Sequence, residues 1–114
     1  MWRSLIMPIG LLLVVACVDS PEAQARRAES EARVATVVLC EDTMTSKLRA
    51  PATADYPFGH VATVRTMSPG RYGLASYVDA QNGFGAQVRT RFICEVEGIG
   101  DQLSGYRVVA FRVE

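Results

Sequence analysis

The spacing of apolar residues changes twice along the chain. Residues 5–18 form an uncharged apolar run interrupted only by Pro8 and Gly10, and a polar segment rich in Ala, Glu and Arg follows up to residue 33. Apolar residues then recur every three or four positions, at Val34, Val37, Cys40, Met44 and Leu48. From Pro51 onwards they alternate with polar residues. These periods predict an apolar leader, one helix and a β-sheet.

Local signals give bounds for the helix. Residues 20–22, Ser-Pro-Glu, offer a capping hydroxyl, a proline suited to the first helical position and an acid near the positive end of the helix dipole. Residues 18–33 are therefore either a polar tether or an extension of the helix. Ala50 precedes Pro51, which disfavours the helical conformation and predicts the end of the helix there. The β-branched residues within 34–39 leave a strand as the competing interpretation.

The alternating part predicts four strands. Three of them are residues 60–67, residues 72–78 and residues 106–113. The remaining strand, which precedes the last one, alternates cleanly and places its apolar residues on one face: Phe84, Ala86, Val88, Thr90, Phe92, Cys94 and Val96.

Turn signals separate these strands. Pro69 and Gly70 occupy the positions that a type II turn prefers, and Asn82-Gly83 suits a hairpin turn that needs positive φ. Such turns make neighbouring strands antiparallel. The expected fold class is α+β, with an N-terminal helix packed on a four-stranded antiparallel sheet in two layers, and the folded domain spans 34–114.

The apolar run has the properties of a targeting segment. A short basic start, Met1-Trp2-Arg3-Ser4, precedes it, and the run is shorter than the roughly 20 residues that a membrane-spanning helix needs. Its end, Val14-Val15-Ala16-Cys17, resembles the lipobox of bacterial lipoproteins, in which a cysteine is acylated and becomes the new amino terminus. Residues 1–17 are therefore interpreted as a signal peptide with its lipobox.

The lipobox resemblance implies a location. It places palmitate or a similar acyl chain on Cys17 and anchors the chain to a membrane of the bacterial cell envelope, facing the periplasm or the exterior. Val18 is unlike the aspartate that retains such proteins in the inner membrane, which favours the outer membrane. Two alternatives stay open: an uncleaved N-terminal anchor, and plain secretion after cleavage near residues 23–25.

If Cys17 carries lipid, two of the three cysteines remain. Small exported domains commonly join such a pair, so we expect a Cys40–Cys94 disulfide, conditional on export. The rival interpretation is a reactive or metal-binding thiol. The chain has no Cys-x-x-Cys motif and His60 is its only histidine, so no metal site is predicted.

Two longer segments carry a second resemblance. The stretches CEDTMTSKLRAPATADYPF and YVDAQNGFGAQVRTRFIC resemble a group of small bacterial and phage-borne secreted or membrane-anchored domains, over about residues 40–96. The group has no assigned activity. The resemblance therefore implies the fold and assigns no mechanism and no catalytic residue.

Direct inspection for chemistry predicts no enzyme. A nucleophile needs a base, and His60, beside Gly59 at the start of a strand, is expected to be an exposed loop residue. Ser68 and Ser76 stand in no diagnostic context, since no Gly-x-Ser-x-Gly motif is present. No glycine-rich phosphate loop appears, so no cofactor is predicted. Twelve basic residues balance twelve acidic ones, which gives no indication of nucleic-acid binding.

Two features are candidates for binding a partner. The first is the segment 79–85, with Asp79, Gln81, Asn82 and Phe84; its alternative interpretation is a plain hairpin whose side chains satisfy the turn. The second is the set of arginines opposite the core, Arg89 and Arg91 with Arg65 and Arg71 on neighbouring strands; its alternative is a solvated face with cross-strand ion pairs to Glu95.

The sequence thus favours a non-catalytic envelope lipoprotein, held to the membrane by its lipid, that binds or braces another envelope component, expected to be a protein. The first alternative is an accessory subunit of a membrane complex held by an uncleaved N-terminal anchor. A small enzyme inhibitor or hydrolase ranks below both.

Overall fold

A helix lies across one face of a four-stranded antiparallel sheet, as predicted. The computed structural model describes residues 20–99 and 105–114. The strands follow one another in the sheet in chain order, and α1 packs on β2, β3 and β4. The elements are α1 (Pro21–Thr45), a 3-10 turn (Pro51–Thr53), α2 (His60–Thr63), β1 (Arg65–Ser68), β2 (Arg71–Gln81), β3 (Gln87–Gly98) and β4 (Tyr106–Val113).

The start of α1 follows from its capping residues. The Ser20 hydroxyl accepts a hydrogen bond from the Ala23 N–H at 3.1 Å, Pro21 opens the helix and Glu22 lies in its first turn. The helix interpretation of residues 21–33 is therefore correct, and so is that of 34–39. The predicted end at Ala50 is too late, because α1 stops at Thr45.

The buried face of α1 differs from the predicted one. Its buried residues recur every fourth position, at Ala32, Thr36, Cys40 and Met44. Val34 is 49 % exposed, contrary to prediction, and Leu48 lies beyond the end of the helix. Thr36 replaces an apolar residue on the buried stripe because its hydroxyl donates to the Ala32 carbonyl oxygen at 2.8 Å, so the hydroxyl is not left unsatisfied.

The first predicted strand, 60–67, is only half correct. Gly59 has φ of 80°, a left-handed conformation that breaks an extended chain, and residues 60–63 form the short helix α2. β1 begins at Arg65 and pairs with β2 only as far as Gly73. Further along β2, Asp55 forms an isolated bridge with Asp79. The outer edge of β2 is therefore interrupted between Gly73 and Asp79.

Of the two predicted hairpin turns, one is confirmed and the other is wrong. Gly70 has φ of 79°, as the third residue of a type II turn requires. In the β2–β3 hairpin the positive φ of 83° falls at Gly85, so the prediction of an Asn82-Gly83 turn is wrong. The loop has three residues instead of two, because the Asn82 N–H donates to the Ala86 carbonyl oxygen and the Gly85 N–H donates to that of Asn82.

The core lies between α1 and the sheet. Its members are the buried residues Cys40, Met44, Val64, Leu74, Val78, Phe92, Cys94 and Val96, and the predicted Cys40–Cys94 disulfide crosses it. The predicted face of β3 is buried only from Phe92 onwards. Phe84 is 97 % exposed and Val88 is 42 % exposed, since this hairpin extends beyond the area that α1 covers. None of the helices in the described ranges is long and apolar enough to cross a membrane.

Candidate functional site

Three polar side chains meet where the outer edge of β2 has no paired strand. Between the Asp55 bridge and β1, the chain leaves the outer edge of β2, and α2 contacts both α1 and β2. His60, the first residue of α2, thereby reaches Ser76 of β2 on one side and Glu41 of α1 on the other. The site is assembled at the junction of the helix, the sheet and their connection.

The three side chains form a chain of hydrogen bonds. Nδ1 of His60 lies 2.7 Å from Oε2 of Glu41, and Nε2 lies 2.5 Å from Oγ of Ser76. A carboxylate only accepts, so the neutral imidazole is assigned with its proton on Nδ1, which leaves Nε2 to accept the Ser76 O–H. His60 is 5 % exposed and Glu41 is 29 % exposed. Both ring nitrogens of a buried histidine are thus satisfied.

Neighbouring elements hold each member in place. Glu41 follows Cys40, which the disulfide ties to β3. Ser76 lies on β2 between the buried residues Leu74 and Val78. Tyr56 packs edge-on against the imidazole, with the ring centroids 6.0 Å apart. These contacts leave the imidazole little freedom to turn.

Tyr56 is itself fixed by hydrogen bonds to α1. Its hydroxyl donates to the Glu41 carbonyl oxygen at 3.1 Å and accepts from the Thr45 hydroxyl at 2.7 Å. Burial raises the pKa of the Tyr56 phenol above its ordinary value, so it stays protonated and remains a donor at neutral pH.

A depression of about 360 Å³ lies beside Ser76 and His60. Its walls include Pro57 and Phe58 from the connection before α2, and Ala75 from β2. Phe58 is fully exposed. Ser76 therefore faces an open, mainly apolar recess on one side and a histidine on the other.

The prediction that His60 is an exposed loop residue is wrong. No local pattern around Glu41, His60 or Ser76 distinguishes them from ordinary helix, turn and strand residues. The presence of a single histidine was the only signal, and the contacts that bury it join segments far apart in the chain.

The residues predicted for partner binding in the hairpin mostly stabilise the hairpin itself. Oδ1 of Asn82 accepts hydrogen bonds from the N–H groups of Phe84 at 2.9 Å and Ala86 at 3.0 Å. The backbone N–H of Gln81 donates to the Thr53 hydroxyl at 2.9 Å. The side chains of Gln81 and Phe84 remain exposed to solvent.

The predicted arginine face contains both paired and unpaired cations. Arg71 donates to Glu95 at 2.8 Å, and Arg89 donates to both carboxylate oxygens of Asp79 at 2.8 and 2.9 Å. Those hydrogen bonds lower the pKa of Asp79 and raise that of Arg89. Within the described ranges Arg65 and Arg91 form no ion pair. The expected cross-strand pairs therefore account for only part of this face.

Arg89 is held from a second side. Its guanidinium lies 3.8 Å from the centre of the Tyr77 ring, an arrangement in which the cation is attracted to the ring face. Arg91 is exposed and lacks such an ion pair, so it is the arginine of β3 that is more available to a partner.

The residues that the structure describes contain no group of three or more His, Cys, Asp or Glu side chains able to hold a metal ion. Comparison with protein-family models, with curated proteins and with solved structures finds no match. The two resemblances seen in the sequence therefore stay predictions.

Proposed function

We propose that the chain is a lipid-anchored protein of the bacterial cell envelope whose sheet domain binds or braces another envelope protein. Anchoring raises the effective concentration of a module near a membrane partner, so a modest binding surface suffices. The lipid on Cys17 and the cleavage before it belong to this proposal.

The disulfide supports export. Disulfides persist in oxidising compartments and are rare in the reducing cytosol. The Cys40–Cys94 pair is fully buried, with Cα atoms 5.9 Å apart, within the usual range for such a bond. In the reducing cytosol the same two cysteines would remain as unbonded thiols facing each other in the core.

The observation that carries the binding role is the uncovered face of the sheet. α1 packs against one face, and Arg91 on the other face is exposed and forms no ion pair within the described ranges. At the end of the same β2–β3 hairpin, Phe84 is 97 % exposed on a turn fixed by four hydrogen bonds. An ordered exposed aromatic and an available arginine are the residue types that anchor protein interfaces.

Cross-linking in intact cells tests this role. The full chain is expressed with its own leader, cross-linked, and purified in mild detergent beside Phe84→Ala and Arg91→Ala variants. Arg26→Ala is the matched control, since Arg26 is an exposed arginine on α1, on the other layer. The proposal expects one stoichiometric companion that both surface variants lose and the control retains.

Two results would argue against the proposal. If the companion is held equally by all variants, this face of the sheet does not bind it. If no companion is captured from wild-type cells, the domain has no stable protein partner. A companion accompanied by an intact Met1 terminus would favour an accessory subunit with a retained anchor.

A further inference from the structure

We propose that Ser76 is a nucleophile activated by His60, and that the recess beside it accepts a carboxylic ester with a small acyl group. This activity differs from partner binding because its reacting groups lie at the junction of α1, α2 and β2, and only the rim of its recess, at Arg91, is shared with the uncovered face of the sheet. The inference begins with the hydrogen-bonded order Glu41, His60, Ser76.

Each member of that order occupies the position that acyl-transfer chemistry requires. The Glu41 carboxylate accepts the Nδ1 proton at 2.7 Å, which orients the imidazole and stabilises the positive charge it acquires. Nε2 then faces Oγ of Ser76 at 2.5 Å, within reach of the proton that must leave during attack. A carboxylate, an imidazole and a hydroxyl that are hydrogen-bonded in this order identify an activated serine, whatever their order along the chain.

The catalytic cycle needs no reagent other than the ester and water. Oγ bonds to the acyl carbon while its proton passes to Nε2, and the bond from the acyl carbon to the alcohol oxygen then breaks. The departing alkoxide takes the proton from Nε2. Water attacks the acyl-serine with His60 again as base, releasing the carboxylic acid and restoring the Ser76 hydroxyl.

The interrupted edge of β2 provides donors for the negative oxygen formed during attack. The N–H and C=O of Asp79 both bond to Asp55 on that edge, at 2.9 and 2.8 Å. Alternate residues of a strand direct these groups to the same side, so the N–H groups of Ala75 and Tyr77 also point to the edge. β1 stops pairing at Gly73, which leaves these two donors open on either side of Ser76.

The recess limits the size and character of the substrate. Its volume of about 360 Å³ is near the lower end for small-molecule sites, and both Ala75 and Tyr77 line it. Pro57, Phe58 and Ala75 provide apolar walls on which a short acyl chain can pack. A small ester therefore fits better than a long lipid or a folded protein.

Covalent labelling tests the nucleophile directly. The detergent-solubilised full chain is treated with a fluorophosphonate probe, and the modified peptide is identified by mass spectrometry. We expect the label on Ser76, and its loss in Ser76→Ala. The matched control is Ser68→Ala, which removes an exposed serine of β1 and leaves the labelling unchanged.

Hydrolysis of p-nitrophenyl acetate provides the second readout. Ser76→Ala is expected to lower kcat/KM by about 100-fold or more, the usual effect of removing a covalent nucleophile and its base-assisted attack. A folded wild-type protein that stays unlabelled, or a Ser76→Ala variant that hydrolyses the ester as fast as wild type, would overturn the proposal.

Glu41 is assigned as a positioning residue, and its test needs a readout beyond stability. Glu41→Gln keeps a hydrogen-bonding oxygen but loses the charge, so kcat is expected to fall at least about 10-fold with KM little changed. If kcat is retained and only the unfolding midpoint falls, the positioning role is refuted. The Ser76→Ala variant should yield as much cross-linked companion as wild type. That result would separate the hydrolytic activity from the binding role.

Discussion

Cys40 of α1 and Cys94 of β3 are joined across the interface between the helix and the sheet, with their Cα atoms 5.9 Å apart. Both are fully buried, and they lie among the apolar residues that α1 and the sheet contribute to the core. The disulfide therefore connects the two layers within the core itself.

Removal of this bridge should destabilise the domain more than the loss of any single hydrogen bond or ion pair. The loop it closes spans a sequence separation of 54, for which chain entropy gives roughly 4 kcal/mol. Cys40→Ala and Cys94→Ala should each lower the free energy of unfolding by about 2–5 kcal/mol in denaturant titrations. The double variant should cost little more than either single one; two additive losses would show that the cysteines are not bonded.

Arg33 connects α1 to the start of β1. One of its guanidinium nitrogens donates to the Val64 carbonyl oxygen at 2.6 Å and to that of Val61 at 3.3 Å. Arg33→Met keeps the apolar stem and removes the donors, so we expect a loss of about 1–2 kcal/mol in the free energy of unfolding. Arg26→Met, on an exposed position of the same helix, is the control and should change little. Equal effects of the two substitutions would contradict the role of Arg33.

The Asp79–Arg89 pair predicts a pH dependence. Because hydrogen bonds from Arg89 lower the folded-state pKa of Asp79 beneath its ordinary value of 3.8, the pair stabilises the fold above pH 3.8. That contribution is lost as the pH falls through the lowered folded value. Thermal unfolding of wild type and Asp79→Asn should therefore differ at pH 7 and converge once the pH has fallen through the lowered folded-state pKa. A difference that persists unchanged at low pH would mean that the Asp79 charge is not its source.

The hairpin turn distinguishes two glycines that are close in sequence. Gly85 has φ of 83°, so Gly85→Ala should cost about 1–2 kcal/mol. At Gly83 a Cβ would meet only the Arg49 side chain, at an ordinary 3.6 Å, and Gly83→Ala should stay within about 0.5 kcal/mol of wild type. Chemical denaturation measures both. If Gly83→Ala cost more than Gly85→Ala, the result would instead support the Asn82-Gly83 turn that the sequence predicts.

The fold was largely predictable because its signals are local. Ser20 and Pro21 start α1 through contacts within one turn, and Gly70 adopts the positive φ that its turn needs. Predictions failed where contacts between segments far apart in the chain determine the local conformation. Residues 60–63 were predicted to belong to a strand, yet they form α2 because Gly59 bends the chain and His60 finds partners on α1 and β2.

The candidate sites differ in the same way. Arg91 was identifiable from the sequence because alternation places it opposite the apolar face of β3, and Phe84 because it lies in the polar segment 79–85; the structure leaves both exposed. The Glu41–His60–Ser76 set had no local sequence pattern beyond the single histidine, since its members come from three elements that only the tertiary fold brings together. A single buried histidine depends on its neighbours for its role, and those neighbours cannot be read from spacing.

The central claim is that one cysteine serves as a membrane anchor and the other two hold the domain together. Intact-mass and fragmentation analysis of the protein, purified without reductant from its native membrane, tests both halves at once. The account predicts a chain that begins at Cys17, carries acyl groups there, and keeps Cys40 linked to Cys94. An intact Met1 terminus with an unmodified Cys17 thiol, or free thiols at Cys40 and Cys94, would contradict it.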